Sequence, residues 1–521
     1  MMAVSALALT LPTAAFGLGS LNKAEIRGKR VYTLGEGTQT VKAYLSGPEI
    51  EAPAKNFPCI QCHKENGTGA REGGVLAPDI TFANLKTPVS GLRPTGRTHP
   101  PYNEKLLVRA IRKGIDPAGN PLQPAMPRYI INQKDLDDLI AYLKVLGREP
   151  VSGVTKDSIR VGTLLPSKGP LEKAGKVVQQ VLSAYFEELN SLGGIYGRDV
   201  RLVTINFDPF QPGGALSALR KQFARKPVFC FLANLGLSNN PKARQWFRDE
   251  NIPVFAPLTI TPADAYILSN STFYLYSSLS DQARVLVDFL AEDLVGTGKK
   301  IALLYAGDKI SRDGALGVRK QLKQHDFSMV ADQSYSLNEF HAEQWVTPLK
   351  KNGTQAVYFF GPGRDAREFV MEADRQGWHP FVFGSMELFG ASLLSLPEQF
   401  DGKVYLASPL SLPDPKAEKL AAYFRLMKKY KIQEKFVAFQ WSAFAGAVLL
   451  EKGLKVSGRD VTRHKLIKKA GNLWQVQTGV TSDLSFNENR RAGSIGASII
   501  LIDAKNHTFI TKVPWREPQN N

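Results

Sequence analysis

The five residues Cys59, Ile60, Gln61, Cys62 and His63 restrict what this chain can fold into more than any other stretch of its sequence. They form the C-x-x-C-H pattern of covalent haem attachment, in which two thiols one helical turn apart add to the two vinyl groups of a porphyrin. The neighbouring imidazole then lies under the iron. A redox C-x-x-C of thioredoxin type requires a βαβ setting, and the surrounding stretch is rich in Gly and Pro instead. Half of a zinc site would need a further Cys/His pair, whereas the chain has three cysteines in all, the third being Cys230. The expectation is one haem c, bound through Cys59 and Cys62, with His63 as a metal ligand.

A chain of 521 residues is long for one such unit. At roughly 100–200 residues per domain, about three domains are expected. Three cysteines exclude a disulfide-stapled scaffold, and 43% hydrophobic residues suffice for real cores. The net charge of +18 is spread without long basic runs, so it suits an acidic partner surface better than a nucleic-acid groove. Residues 1–20 carry no charged side chain and read as the apolar core of an export signal, although they lack a Lys/Arg start and Pro12 interrupts them. The stretch is shorter than the ~20 residues of a spanning helix, so membrane association is expected only through an uncleaved N-terminus.

Residues 21–150 carry short helical patterns near Asn103–Lys113 and Asn132–Leu146. In the second, Asn132 is placed to cap, Asp135 to reach back, and Leu136, Leu139, Ile140, Leu143 and Leu146 share a face. For a sixth iron ligand this piece offers Met126, in the loop Gln123, Pro124, Ala125, Met126, Pro127, Arg128, Tyr129, and one histidine besides His63, namely His99. The attachment motif, the Met-Pro loop some sixty residues on and the closing amphipathic helix resemble a class I c-type cytochrome. The resemblance covers residues 26–147 and implies that Met126 supplies the distal sulfur, that His99 lies at the surface or on the propionate side, and that the closing helix packs across a first helix. An iron held by His63 and Met126 is coordinatively filled, and so suited to electron transfer rather than oxygen activation. One departure stands out: the first helix, for which Gly28–Gly35 is the start, is separated from the motif by some twenty residues including Gly47, Pro48 and Pro53. Gly67, Gly69, Gly73, Gly74 and Pro78 read either as a backbone passing close to the porphyrin or as plain turns.

Arg148–Gly153 reads as a linker. From Ile159 onward short apolar strands alternate with amphipathic helices: strands at Ile159–Leu165, Val200–Phe207, Val228–Leu232, Val254–Pro257, Lys300–Tyr305, Ala356–Phe360 and Val404–Ala407, and a helix at Leu171–Leu192. That alternation implies mainly parallel sheets covered on both faces, and its length implies two lobes. Ile159–Leu165 with Pro166–Pro170, the segment Leu192–Arg198, Asn251–Val254 with Pro257, the lobe-switching segment Phe273–Gln282 and Lys300–Val318 resemble type 1 periplasmic binding proteins, most nearly the branched-chain amino-acid and amide receptors of ABC importers. The expected architecture is therefore a small all-α cytochrome c domain (21–150) followed by a two-lobed α/β periplasmic-binding-protein fold (151–521).

The same resemblance implies a small-molecule ligand between the lobes. Its candidate contacts are Ser167 and Gly169, the loop Asn234, Leu235, Gly236 and Ser238, Thr259 with Thr261, Tyr276 at the hinge, and Arg312, Arg364 and Glu387 in the second lobe. Each of these could equally cap a helix or turn. Arginines stand where amino-acid receptors present an aromatic residue, and the acidic partner of an ammonium group falls on Met386 with Glu387 one place off. A carboxylate or other anion is therefore set beside an amino acid as the ligand. No G-x-S-x-G, H-E-x-x-H or phosphate-binding glycine loop occurs, and Cys230 lies in an apolar run, so an electron carrier and binding protein is expected rather than an enzyme. The expected location is the bacterial periplasm, and the expected redox partner a periplasmic dehydrogenase or another cytochrome. Two alternatives are an ABC-transporter solute receptor with a regulatory haem, and a non-catalytic cytochrome subunit of a dehydrogenase.

Overall fold

The computed structural model describes residues 21–45, 51–72, 74–89, 97–147, 151–237, 240–262, 271–294, 300–325, 327–410 and 418–519. The export-signal segment 1–20, Gly47, Pro48, Gly73 and Ser238 lie outside them. The chain divides into two units, residues 1–152 and 153–521.

The first unit is helical. Helix α1 (Lys23–Leu34) begins five residues before Gly28, because Asn22 caps it and Glu25 bonds back to the Asn22 N–H, and it ends at Gly35 with φ +68°. The first helix is thus intact despite the long segment that follows it. That segment supplies strands β1 (Lys42–Tyr44) and β2 (Ala52–Pro53), then α2 (Cys59–His63) follows. Next come the hairpin β3 (Ala70–Glu72) and β4 (Val75–Ala77), α3 (Phe82–Leu85), α4 (Glu104–Lys113), β5 (Arg128–Ile130) and α5 (Gln133–Val145). Strands β2, β1 and β5 make a small antiparallel sheet, with Lys42 opposite Ile130 and Tyr44 opposite Arg128. The unit thus adds two short sheets to the helices expected of it.

Helix α5 packs across α1 with Leu136, Leu139, Ile140 and Leu143 buried, as its spacing requires. The crossing is close at Gly28, where a Cβ would stand 1.9 Å from the Asp138 carbonyl oxygen. Arg27 grips Asp138 with two hydrogen bonds, of 2.6 and 2.8 Å. Asp135 reaches back to its own helix cap, accepting from the Asn132 side-chain amide. Buried, it also accepts from Thr38 N–H, Thr38 Oγ1 and Gln39 N–H at 2.8–3.3 Å, tying the inserted segment to α5.

The second unit has two sheets. In the first lobe run β6 (Ser158–Pro166), α6 (Glu172–Ser191), β7 (Asp199–Phe207), α7 (Gly214–Arg225), β8 (Cys230–Leu232), α8 (Pro241–Asp249), β9 (Val254–Phe255) and β10 (Thr272–Phe273). The strands are all parallel, in the order β10-β9-β8-β6-β7. The chain then crosses to the second lobe through 274–278 and runs α9 (Leu279–Asp293), β11 (Lys300–Ala306), α10 (Lys309–Leu322), β12 (Ser328–Tyr335), α11 (Ala342–Lys351), β13 (Ala356–Phe360), α12 (Gly363–Arg375), β14 (Phe381–Ser385), α13 (Met386–Phe389) and β15 (Val404–Ser408). It returns through α14 (Ala421–Lys429), α15 (Val437–Ser457) and α16 (Arg463–Ala470), of which α15 packs on α6, β8 and β9. It then adds β16 (Ala497–Asp503) and β17 (Thr508–Arg516) antiparallel at the edge of the second sheet, whose order is β12-β11-β13-β14-β15-β16-β17. Each face of that sheet carries its own apolar core, one with Val285, Phe289 and Val318 from α9 and α10, the other with Val346, Phe369 and Val370 from α11 and α12. Every strand expected from the sequence is present. Of the unexpected strands, β10 is two residues long, β12 and β17 carry polar residues on the exposed side, and β14 and β16 are largely buried runs without alternation.

Candidate haem pocket and interlobe residues

Helix α2 is one turn and a half, too short to persist alone. Two tyrosines hold its ends. Tyr32 of α1, fully buried, donates to the Lys64 carbonyl at 2.6 Å, and Tyr129 of β5 donates to the Phe57 carbonyl at 2.5 Å. Cys59, Cys62 and His63 therefore sit on a turn fixed from both sides, with the Tyr129 hydroxyl 3.9 Å from the Cys59 sulfur. Burial pushes the Cys59 thiol up to about 11. The His63 ring is buried, which lowers its pKa and keeps it neutral, and its Nδ1 lies 3.0 Å from the Pro78 carbonyl oxygen. Donation of the Nδ1 proton to that carbonyl leaves Nε2 as the lone-pair nitrogen a metal requires.

Cys59, Cys62, His63 and Met126 line one cavity of about 470 Å³, walled chiefly by apolar side chains that include Ile80, Leu85, Leu107, Leu139 and Leu143. That volume lies in the ~300–1,000 Å³ range of cofactor pockets. Arg71, Arg97 and His99 line it too, and His99 is half-buried, with Nδ1 2.8 Å from its neighbour's carbonyl at Pro100. The donor set fits a covalent porphyrin: Cys59 and Cys62 would hold its edge, His63 and Met126 its iron. Such a group supplies a one-electron couple. Of the glycines after the motif, Gly69 has φ +73° and no room for a Cβ, which would fall 2.1 Å from the Ala77 carbonyl oxygen, so tight packing of the chain on itself explains it. The sequence did not point to the two tyrosines, although Tyr129 stands in the residues just after Met126; Pro78, read there as close to the porphyrin or a plain turn, places its carbonyl against His63.

In the second unit the candidate ligand residues separate into framework and free groups. Ser167 gives both its N–H (2.8 Å) and its hydroxyl (2.9 Å) to the Phe207 carbonyl. The N–H groups of Leu235 and Thr259 bond the carbonyls of Leu164 and Pro257. Asn234 is fully buried, its Oδ1 accepting from Leu164 N–H at 2.8 Å while its Nδ2 has no partner among the described residues. Thr261 donates to the Tyr276 carbonyl at 2.8 Å, which fixes the hinge, and the Tyr276 hydroxyl pairs with Ser442 at 2.7 Å. Gly169, at φ +80°, lies under the exposed ring of Phe210.

In the second lobe the exposed Arg364 pairs with buried Asp365 at 2.9 Å, and Asp365 in turn accepts from Tyr335 at 3.0 Å. Of the two arginines, only Arg312 lines the open hollow of about 420 Å³ formed with Asp308, Ser334, Tyr335 and Ser336. Met386 packs against the core, while Glu387 accepts from Gln282 at 2.6 Å, and Gln282 accepts from Ser385 at 3.1 Å. Burial raises the Glu387 carboxyl to about 7, and its charge is felt at Tyr276, so it lies within electrostatic reach of the hinge.

Two lobes built on mainly parallel strands and joined at a hinge, preceded in the chain by a motif-bearing helical unit, define the class of protein. Residues 158–497 match the family model described as periplasmic binding protein, and residues 54–147 the one described as cytochrome c. The chain belongs to the periplasmic binding protein family, with a cytochrome c domain preceding that module. Among curated relatives, the Leu/Ile/Val-binding protein homolog 7 of Brucella abortus (strain 2308) is 21% identical over 65% of this chain and 88% of its own length. The leucine-, isoleucine-, valine-, threonine-, and alanine-binding protein of Pseudomonas aeruginosa is 21% identical over 68% of this chain and 92% of its own. In fold, the substrate-binding protein of an ABC transporter from Aeropyrum pernix superposes with a TM-score of 0.56 at 20% identity, covering 70% of this chain and 97% of that one. These relatives are named as binding proteins, not as enzymes. No helix among the described residues is long and apolar enough to cross a membrane.

Proposed function

We propose that this is an exported electron-transfer protein, acting in the periplasm, in which one haem c is attached through Cys59 and Cys62, its iron is held by His63 and Met126, and a receptor-like module (151–521) binds a small molecule. The reading rests on one observation: those four side chains line a single, mostly apolar cavity. Neutral imidazole and thioether are the ligands that saturate an iron for outer-sphere electron exchange with a partner protein. The ligand we infer carries an ammonium group, as an amino acid does, because the second lobe offers the desolvated carboxyl of Glu387 near the hinge and the Arg364 charge is already answered by Asp365. The binding-protein names of the relatives support the same ligand class.

The haem assignment is tested by the mass and the reduced-haem spectrum of the exported protein. A colourless product with the mass of the bare chain ends it. A second reading, a transporter receptor whose haem is regulatory, is favoured by the near-complete length over which the binding-protein relatives match. Redox titration with and without leucine separates the two. A ligand that shifts the potential must bind the two oxidation states unequally, as a regulatory haem requires, whereas a tight ligand that leaves the potential unchanged removes the regulatory reading.

A further inference from the structure

The loop that carries Met126 is held by a single buried cation. Arg128 is 5% exposed, and its guanidinium donates to three carbonyls of that loop, those of Leu122 and Gln123, each at 3.3 Å, and that of Met126. No ion pair answers its charge among the described residues. The loop carbonyls are its only hydrogen-bonded compensation there, and removing it would leave the three of them without that donor.

Two further features of the chain make room for this side chain and aim it. Gly114, the left-handed cap of α4 at φ +64°, has no Cβ, and one built there would stand 2.0 Å from Arg128 Nε. The Arg128 backbone is itself fixed, because β5 pairs with β1 and sets Arg128 opposite Tyr44. Strand β1 belongs to the segment inserted between the first helix and the attachment motif. That segment is tied down again by Asp135 through Thr38 and Gln39. The insertion thus ends in a rigid sheet from which one guanidinium reaches back to the methionine loop. A planar group with five donors can serve three carbonyls at once, which an ammonium cannot do in the same geometry.

We propose that Arg128 is a positioning residue for the distal thioether: by binding the carbonyls of Leu122, Gln123 and Met126 it holds the loop in the one conformation that presents the Met126 sulfur to the iron. This rests on the haem reading above. It concerns the loop alone, since the attachment through Cys59 and Cys62 stands on another element.

The test uses the full-length exported holoprotein and the variants R128Q, R128K and M126A. Mass and reduced-haem spectrum report covalent attachment. The sulfur-to-iron charge-transfer absorption of the ferric form and carbon monoxide binding to the ferrous form report whether the sixth position is held. M126A should lose the absorption and bind carbon monoxide readily. R128Q should keep its covalent haem, weaken the absorption and bind carbon monoxide roughly tenfold faster or more, the shift that follows when about one buried hydrogen bond's worth of loop ordering is lost. R128K should fall between R128Q and the parent, and it decides the matter if R128Q does not accumulate. Haem-loaded R128Q or R128K with the parent's absorption and resistance to carbon monoxide overturns the proposal. A parent-like M126A overturns the axial role of Met126, and the proposal with it, while leaving the covalent haem standing. A colourless parent chain removes the haem reading itself.

Discussion

Glu387 shows how much one side chain's surroundings decide. In sequence it stands one place off the position where an acidic residue is expected, yet α13 turns Met386 to the core and leaves Glu387 beside Gln282. A carboxyl raised to about 7 by burial binds an ammonium group only when ionised. Calorimetric titration with leucine should therefore show affinity rising between pH 5 and pH 8. E387Q should flatten that dependence and cost about 2–5 kcal/mol of binding at pH 8. An unaltered isotherm for E387Q would remove the carboxyl from the site. Stability runs the opposite way in the unliganded protein. Because the folded pKa lies above the ordinary value, the contribution is fully present below about 4.5 and is lost as the pH rises through about 7, so thermal stabilisation by ligand should be largest at neutral pH and above.

At the level of elements, the first unit depends on two contacts that helix periodicity alone does not reveal. The α1–α5 crossing needs Gly28, since any side chain there meets the Asp138 carbonyl. G28A should destabilise the unit by roughly 1–3 kcal/mol, read as an earlier denaturant midpoint of the haem absorbance, and a midpoint within error of the parent would show that the helices part without cost. The short motif helix needs its tyrosines. Y32F removes the 2.6 Å bond to the Lys64 carbonyl, which also accepts from the Gly67 N–H at 3.4 Å, and should cost about 0.5–1.5 kcal/mol by the same assay. Asp135 adds an acid-side dependence. Burial pushes its pKa up, but bonds from Thr38, Asn132 and Gln39 outweigh that and hold it below the ordinary carboxylate value. Its stabilisation is accordingly present above about pH 4 and is lost as the pH falls further; D135N should blunt the acid transition. Sequence periodicity located α4, α5 and seven of the twelve strands β6–β17, because those elements bury one or both faces. It did not locate β1, β2 and β5, three residues or fewer each, which exist only because they pair with one another.

For the whole molecule, a charge of +18 favours encounter with an acidic redox partner through long-range attraction. Electron-exchange rates with such a partner should fall steeply between 0.01 M and 0.15 M salt, where the screening length shrinks from about 30 to about 8 Å. A salt-independent rate would point to an apolar docking patch. The amino-acid order alone carries the haem-attachment motif, since two thiols and an imidazole at that spacing are a local feature of one helical turn. It also settled the alternation of strands and helices, because burial on one or both faces imposes a period of its own. Folding in three dimensions decided which groups remain available. The Ser167 hydroxyl is engaged by the Phe207 carbonyl at the end of the neighbouring strand, the Thr261 hydroxyl by the Tyr276 carbonyl in the crossing segment, and Glu387 is buried against Gln282. The Glu387 hydration shell is lost to partners such as Gln282, 105 residues away in sequence, and no local pattern encodes them.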